Sequence, residues 1–323
     1  MRAMLARMSL RAGVVLLFIV SGCASETIPP RADAGPRRDG SSPPVDAAEM
    51  TADGGTDEDA TGSAQDAALG SRCTVDPTTA TCTHETLTVP TGSLLPARDV
   101  HYQVPLGTAP AAGFPAVIAF QGAAVSAELT WTGHITDLYG LYNQTLVVAA
   151  LLDAGYAVIT PEAGSDGLGY YDTNVPPYAT FWDTSPDHQL MLGVFATIEA
   201  GGFGPIDASR LFAAGFSSGG YMTSRMAVSY PGRFRALAIH SASYATCSGA
   251  VCLIPTALPT DHPPTLFLHG ALDPIVPVAT MQAYEAQLSA QGIATHVVVD
   301  AALAHQWIPV APAEVLAWFE LAR

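Results

Sequence analysis

Residues 211–226 read LFAAGFSSGGYMTSRM, an apolar run that meets a Gly-x-Ser-x-Gly motif and then a helix-like segment. A serine on a tight turn between a strand and a helix has a strained backbone. Glycine two residues before and after it removes the side chains that would collide there. The N–H groups at the start of the following helix point towards developing negative charge. The motif therefore predicts Ser217 as a nucleophile, with the N–H of Ser218 as one donor of an oxyanion hole.

Short apolar runs alternate with longer helix-like segments on both sides of this motif. Continuous apolar strands with helices between them predict a mostly parallel central sheet with helices on both faces. The predicted strands are residues 100–104, 116–120, 157–161, 211–216, 236–241, 265–269 and 296–300, and the predicted helices are 141–154, 188–200, 218–230, 278–291 and 313–321. Ligands bind at the carboxyl ends of the strands in such folds, so the loops after the strands should carry the chemistry.

Two of these loops supply the partners that a serine nucleophile needs. A serine hydroxyl requires an imidazole base, and the imidazole requires a carboxylate that holds its tautomer. Asp273 follows the strand 265–269, and His305 follows the last strand. We therefore predict Asp273 as the acid and His305 as the base.

Other side chains compete for these roles. His296 is an alternative base, although it lies within the last strand, and Asp300 is an alternative acid, although it closes that strand. His269 ends a strand beside Asp273 and is expected to order the acid loop. A further group, His240, Ser241 and Ser243, ends another strand and is expected to shape the floor of the site.

The second oxyanion donor should come from the loop that follows the strand 116–120. This loop reads Gln121-Gly122-Ala123-Ala124. We assign the donor to Ala123, with Gly122 as the alternative, and we expect Gln121 to contact the substrate.

The segment 164–182 carries five aromatic side chains: Tyr170, Tyr171, Tyr178, Phe181 and Trp182. With Trp131 and Trp307 they form a candidate apolar wall, of which Tyr171, Trp182 and Trp307 are the predicted substrate-binding members. The alternative interpretation is that these rings pack the segment against the domain. The sequence leaves both interpretations open.

The order of the triad, the motif and the strand pattern resemble the α/β-hydrolase superfamily across residues 73 to 323. Within it, residues 215–227 and 261–270 look like those of extracellular medium-chain-length polyhydroxyalkanoate depolymerases. The resemblance implies hydrolysis of aliphatic polyesters or their oligomers through Ser217, Asp273 and His305, without a metal or an organic cofactor. The alternatives are a feruloyl or acetyl polysaccharide esterase and a non-catalytic surface lipoprotein.

Charge and composition exclude several other classes. The formal net charge is −16, which opposes nucleic acid as a partner. All thirteen basic residues are arginine, so Schiff-base lysines and the phosphate-loop lysine are excluded. None of the usual zinc-hydrolase histidine spacings occurs among the nine histidines, and no metal site is predicted.

The first 71 residues are expected to direct export. Arg2, Arg7 and Arg11 precede the apolar run 12–20, and Val20-Ser21-Gly22-Cys23 resembles a bacterial lipobox. We predict a lipoprotein signal peptide over 1–22, an acidic disordered tether over 23–71 that begins with lipidated Cys23, and the catalytic domain over 72–323. The protein would then be anchored to the cell envelope. An ordinary secretory signal is the alternative.

Four cysteines remain in the predicted domain: Cys73, Cys82, Cys247 and Cys252. Export makes them candidates for disulfides, and four cysteines allow three pairings. We favour Cys73 with Cys82 and Cys247 with Cys252, since each pair closes a short loop.

Overall fold

A computed structural model describes residues 70–92, 95–164 and 169–323 of the chain. The predicted signal peptide and nearly all of the predicted tether, including Cys23, lie outside these residues. Within the described ranges, no helix combines the length and the hydropathy needed to cross a membrane.

The described chain alternates strands and helices in the order that the sequence predicts for a doubly covered sheet. The strands are β1 (Cys73–Val75), β2 (Thr79–Cys82), β3 (Glu85–Val89), β4 (Arg98–Gln103), β5 (Phe114–Phe120), β6 (Thr132–His134), β7 (Ala157–Pro161), β8 (Ile206–Phe216), β9 (Phe234–His240), β10 (Thr265–Gly270) and β11 (Thr295–Asp300). The helices are α1 (Leu141–Asp153), α2 (Pro186–Glu199), α3 (Ser218–Ser229), α4 (Val278–Ala290) and α5 (Ala311–Glu320).

Eight strands form the central sheet in the order β11-β10-β9-β8-β5-β7-β4-β3. The six strands from β11 to β7 pair in parallel, and β4 and β3 complete the sheet as antiparallel strands. Because β5, β8, β10 and β11 run in one direction, the loops that follow them leave the same edge of the sheet. These are the loops that carry Gln121 to Ala124, Ser217, Asp273 and His305.

The two faces of the sheet bury different helices. Alternate side chains of β5 point to opposite faces, as a strand requires. Ile118 belongs to the core that includes α2 and α3, whereas Val117 belongs to the core that includes α1 and α5. A third cluster packs α4 around Tyr284. Burial on both faces explains why these strands read as unbroken apolar runs.

Four strands, β1, β2, β3 and β6, are not among those that the sequence predicts. β1, β2 and β6 form a separate antiparallel sheet in the order β1-β2-β6, and β3 is the edge strand of the large sheet. These strands are short and rich in polar residues, as in Thr79-Ala80-Thr81-Cys82, and several of their residues are exposed. Such strands give no apolar run that could be recognised.

The two disulfides join the same cysteine pairs as the favoured pairing from the sequence. Cys73 is bonded to Cys82 across β1 and β2, and Cys247 is bonded to Cys252 in the loop after β9. Disulfides persist in oxidising compartments outside the cytosol. The domain is therefore that of an exported protein.

Candidate active site

Ser217 occupies a sharp turn between β8 and α3. Its φ and ψ are 55° and −117°, a conformation that costs free energy for any residue with a side chain. Its N–H donates to the carbonyl oxygen of His240 at 3.0 Å, which ties the turn to β9. A Cβ at Gly215 would collide with the carbonyl of Gly219, and one at Gly219 would collide with the carbonyls of Phe120 and Gln121. Both glycines of the motif are therefore required by close backbone approach.

A hydrogen-bonded chain links the three predicted triad residues. The Nε2 atom of His305 lies 2.9 Å from Ser217 Oγ, and its Nδ1 atom lies 2.7 Å from Asp273 Oδ2. A carboxylate can only accept, so Nδ1 carries a hydrogen and Nε2 is left to accept the serine proton. His305 and Asp273 are 9% and 7% exposed, which limits competition from water for these bonds.

Asp273 is held as an anion. Burial alone would raise its pKa, but hydrogen bonds from His269, His305 and the N–H of Val276 together lower the pKa well below its usual value. The N–H groups of Ile275 and Val276 donate to Oδ1 at 2.9 and 2.8 Å, which leaves Oδ2 for His305. His269 donates from Nε2 to the carbonyl of Val276 at 2.9 Å and lies 3.4 Å from Oδ2. It orders the acid loop in the way that the sequence suggested.

The imidazole of His305 packs against two aromatic rings that also contact each other. Phe216 lies 4.8 Å away between ring centroids, and Tyr139 lies 6.1 Å away in an edge-to-face arrangement. Tyr139 has a positive φ of 60°, and its carbonyl accepts the N–H of Trp307 at 2.8 Å. Tyr139 remains partly exposed beside the imidazole, a position that the sequence analysis missed.

His240 lies beneath the site and is kept neutral. Its Nε2 accepts the N–H of Ile308 at 3.0 Å, so Nδ1 carries the hydrogen that faces Ser241 Oγ at 3.1 Å. Complete burial, with smaller effects from His269 and His305, lowers the pKa of His240 far below its usual value. Ser243 donates to the carbonyl of Thr280. Of these three residues, His240 lies next to the nucleophile, since its ring contacts Phe216 and its carbonyl accepts the N–H of Ser217.

The two alternative triad members lie elsewhere. His296 is half exposed on β11 and pairs with Glu314 of α5 at 3.4 Å. Asp300 accepts the N–H of Ala302 at 2.9 Å in the turn after β11. Neither is bonded to His305.

The loop after β5 lies against the start of α3. Gly122 packs against the ring of Phe216, and the carbonyls of Phe120 and Gln121 touch Gly219. No described residue accepts a hydrogen bond from the N–H of Ser218, Gly122 or Ala123. This arrangement supports an oxyanion hole at Ser218 and the loop; the choice between Ala123 and Gly122 stays a prediction.

The four predicted substrate-binding residues are packing residues instead. Gln121 and Tyr171 are fully buried, and Trp182 and Trp307 are 7% and 3% exposed. The Tyr171 hydroxyl faces inward, 2.7 Å from Gln121 Oε1 and 2.6 Å from the carbonyl of Pro161. An exposed wall would leave such polar atoms to water, whereas the Tyr171 hydroxyl and the Gln121 amide find partners inside the domain.

The two tryptophans are equally enclosed. Trp182 donates to the Tyr230 hydroxyl at 3.2 Å and carries the guanidinium of Arg225 over its ring at 5.0 Å. Trp307 stacks on Phe216, with ring centroids 6.0 Å apart. The packing interpretation therefore fits Tyr171, Trp182 and Trp307, and the substrate-wall interpretation is wrong for these three rings. The separate prediction that Gln121 contacts the substrate is also wrong, since its side chain is buried.

The described residues hold no group of three or more histidine, cysteine, aspartate or glutamate side chains placed to bind a metal ion.

Fold and site together define the class of the protein, a serine carboxylic-ester hydrolase with the α/β-hydrolase fold. A family model described as Phospholipase/Carboxylesterase matches residues 188–315. The poly(3-hydroxyoctanoate) depolymerase of Pseudomonas fluorescens is 44% identical over 261 residues, which cover 79% of this chain and 92% of that relative. The chain belongs to the family of that depolymerase.

Solved structures with the same fold have much lower identity. The acetyl xylan esterase of Aspergillus awamori matches with a TM-score of 0.56 at 17% identity, covering 74% of this chain and all of that one. An S-formylglutathione hydrolase from Agrobacterium tumefaciens matches with a TM-score of 0.53 at 15% identity, covering 76% of this chain and 95% of that one. At such identities the likeness concerns the fold alone.

Proposed function

We propose that this protein hydrolyses aliphatic polyesters of medium-chain-length 3-hydroxyalkanoates, or their oligomers, by acyl transfer through Ser217. The observation that carries the chemistry is the hydrogen-bonded chain from Ser217 through His305 to Asp273. The observation that carries the substrate class is the 44% identity to a poly(3-hydroxyoctanoate) depolymerase over most of both chains.

The reaction proceeds in two acyl-transfer steps. His305 Nε2 takes the proton of the Ser217 hydroxyl as Oγ bonds to the ester carbonyl carbon, and the N–H of Ser218 and of the loop after β5 stabilise the resulting oxyanion. The carbon–oxygen ester bond then breaks, and the imidazolium returns the proton to the departing alkoxide. Water repeats the sequence on the acyl-enzyme, which releases the carboxylic acid and restores Ser217.

An exposed apolar rim beside the triad supports an apolar polymer as substrate. We define the rim as Leu138, Tyr139, Leu272 and Ile275. Leu138 and Leu272 are 75% and 63% exposed, and Ile275 is 53% exposed. Leu272 and Ile275 flank Asp273, and Tyr139 contacts His305. Exposed apolar side chains grouped beside a site indicate an interaction with an apolar partner.

A hydrolysis panel tests this proposal directly. Films of poly(3-hydroxyoctanoate) and poly(3-hydroxybutyrate) are compared with feruloyl and acetyl sugar esters, and released acid is titrated. We expect the octanoate polymer to be cleaved fastest and Ser217→Ala to release no acid from it. Faster release from the sugar esters would overturn the substrate class, and acid release by Ser217→Ala would overturn the nucleophile.

We also propose that the mature protein is held at the cell envelope by a lipid on Cys23. The proposal is supported by the sequence Val20-Ser21-Gly22-Cys23 after an apolar run, in a protein that is exported. Several acyl chains on one residue give stable anchoring, whereas a single chain binds only marginally.

Expression of the full chain in a bacterial host tests the anchor. We expect the wild-type protein to sediment with membranes and to carry acyl mass on a peptide that begins at Cys23. Cys23→Ser should release it into the soluble fraction, and Ser25→Ala serves as the matched control that should not. A soluble wild-type protein cleaved elsewhere would refute the anchor.

A further inference from the structure

One carboxylate fastens both ends of the loop that follows β5. Glu162 comes directly after β7, the strand beside β5. Its Oε1 accepts from the Ser126 hydroxyl at 2.8 Å and from the N–H of Ala127 at 2.9 Å, and its Oε2 accepts from Gln121 Nε2 at 3.3 Å. Only an acceptor with two oxygens can take three such bonds. Glu162 therefore binds both ends of the loop 121–127: Gln121 at its start, and Ser126 and Ala127 at its end.

The fastened loop carries the proposed oxyanion donors of Gly122 and Ala123. Between its two ends, Ala124 adopts a positive φ of 63°, which disfavours this backbone for a residue with a Cβ. A strained backbone keeps its shape only where the surroundings hold it. The direction of the Gly122 and Ala123 N–H groups therefore depends on how the loop is held.

The same network reaches the other oxyanion donor. Tyr171 donates from its N–H to Ser218 Oγ at 2.9 Å, and its hydroxyl lies 2.7 Å from Gln121 Oε1. Burial raises the pKa of Tyr171 far above its usual value, so the hydroxyl stays a donor. Glu162, Gln121 and Tyr171 thus connect the loop after β5 to the first residue of α3, and so join both sides of the oxyanion hole.

Burial and hydrogen bonding shift the pKa of Glu162 in opposite directions. Burial alone would raise its pKa, but the nearby His101, the N–H of Ala127 and the Ser126 hydroxyl lower the pKa below its usual value. His101 Nε2 lies 3.5 Å from Oε1. The side chain is therefore an anion at neutral pH and keeps every acceptor position available.

We propose that Glu162 is a positioning residue of the oxyanion hole, which fixes the N–H groups of the loop 121–127 at the point where negative charge develops. The inference rests on the acyl-transfer mechanism proposed above, but on no particular substrate. Glu162 does not touch the reacting atoms; it acts through Gln121, Ser126 and Ala127.

The test measures transition-state stabilisation separately from substrate binding. A soluble nitrophenyl octanoate gives kcat and KM, and a trifluoromethyl ketone gives an inhibition constant, because its serine adduct places an oxyanion in the hole. Glu162→Ala should lower kcat about 10- to 100-fold with KM unchanged, since displacement of the donors weakens only the transition state. The inhibition constant should rise by a similar factor.

Two further variants complete the test. Glu162→Gln keeps an oxygen for Ser126 and Ala127 but turns an amide N–H₂ towards the Gln121 donor, so we expect an intermediate loss of kcat. Glu314→Ala removes a carboxylate that pairs with a histidine at the surface of α5 and should leave both constants unchanged. Urea unfolding of each variant reports any loss of stability.

The outcomes separate the inference from the proposed function. Full kcat in Glu162→Ala, or a lower kcat with an unchanged inhibition constant, would overturn the positioning role. If Glu162→Ala does not fold, Glu162→Gln decides: an inhibition constant equal to that of the wild type overturns the inference, and a raised one supports it. Failure of the wild-type protein on polymer films, with full activity on the soluble ester, would affect only the proposed substrate.

Discussion

Replacement of Asp273 by asparagine tests the geometry of the triad with almost no change of shape. In the native site, Oδ1 accepts the N–H groups of Ile275 and Val276, and Oδ2 accepts the Nδ1 hydrogen of His305 at 2.7 Å. An asparagine keeps its oxygen on the two backbone donors and turns its N–H₂ towards His305. The imidazole must then accept at Nδ1 and carry its hydrogen on Nε2.

That tautomer removes the general base. Nε2 lies 2.9 Å from Ser217 Oγ and, once protonated, cannot take the serine proton. Loss of the correct tautomer in a serine–histidine–aspartate triad lowers kcat about 10⁴-fold. At about 1.4 kcal/mol for each factor of ten, this raises the barrier by about 5 kcal/mol. We expect a kcat about 10⁴-fold lower than that of the wild type and a KM close to that of the wild type.

The assay is steady-state hydrolysis of the soluble nitrophenyl octanoate, with Asp300→Asn as the matched control. Asp300 is the other acid that the sequence offered, and its Oδ1 accepts the N–H of Ala302. We expect Asp300→Asn to retain kcat within about threefold, since it changes only a surface turn. A large loss in Asp300→Asn with little loss in Asp273→Asn would refute the assignment of the acid.

The Asp273→Asn variant should also differ from the wild type in how its stability depends on pH. The pKa of Asp273 is lowered in the folded protein, so the carboxylate contributes stability that is complete above its unfolded pKa of about 3.9. This contribution is lost as the pH falls towards the lowered folded value. The difference in unfolding free energy between wild type and Asp273→Asn should therefore shrink as the pH falls from about 5 to 3, as measured by urea denaturation. A difference that grows on acidification would mean that the folded pKa is raised.

Three other substitutions give independent expectations. Leu272→Glu should slow hydrolysis of a polyester film about tenfold or more and spare the soluble ester, because a charge on the rim must be desolvated against an apolar solid. Leu321→Glu, at a leucine that is also exposed and lies at the end of α5, should change neither rate. Gly219→Ala should lower the unfolding free energy by about 2 kcal/mol or more, since its methyl group would overpack against two backbone carbonyls at the end of β5; an unchanged urea midpoint would contradict this packing. Replacement of both Cys73 and Cys82 by serine should lower the unfolding free energy by about 3 kcal/mol, the value for a loop of about ten residues; dithiothreitol should lower that of the wild type by more, since it also reduces the Cys247–Cys252 bond.

The sequence was sufficient to predict seven of the eight strands of the central sheet, and it assigned Ser217, Asp273 and His305 to loops that the structure brings together. β5, β10 and residues 211–216 of β8 are buried on both faces and so appear as continuous apolar runs. Since parallel strands end at one edge, the loops after β8, β10 and β11 had to meet there, and Ser217, Asp273 and His305 followed from their positions in those loops.

The exposed strands and the surroundings of the triad could not be predicted in the same way. β2 is polar and gives no apolar pattern. An aromatic or amide side chain such as Tyr171 or Gln121 suits a binding wall and a buried network equally well, and the outcome depends on partners distant in sequence, such as Ser218 for the N–H of Tyr171. Glu162 did leave a signal, because a carboxylate immediately after a fully buried strand needs donors; which donors it finds is decided only by the folded loop.

The burial of Gln121 and Tyr171 has a consequence for the evolution of substrate range. The groups that support acyl transfer are enclosed and mutually bonded, whereas the side chains of Leu138, Leu272 and Ile275 are exposed and form no bond to them. Exchange of one exposed leucine for another side chain therefore changes the surface that contacts the polymer. The enclosed groups that carry out acyl transfer stay in place, so the rate of the reaction itself is kept.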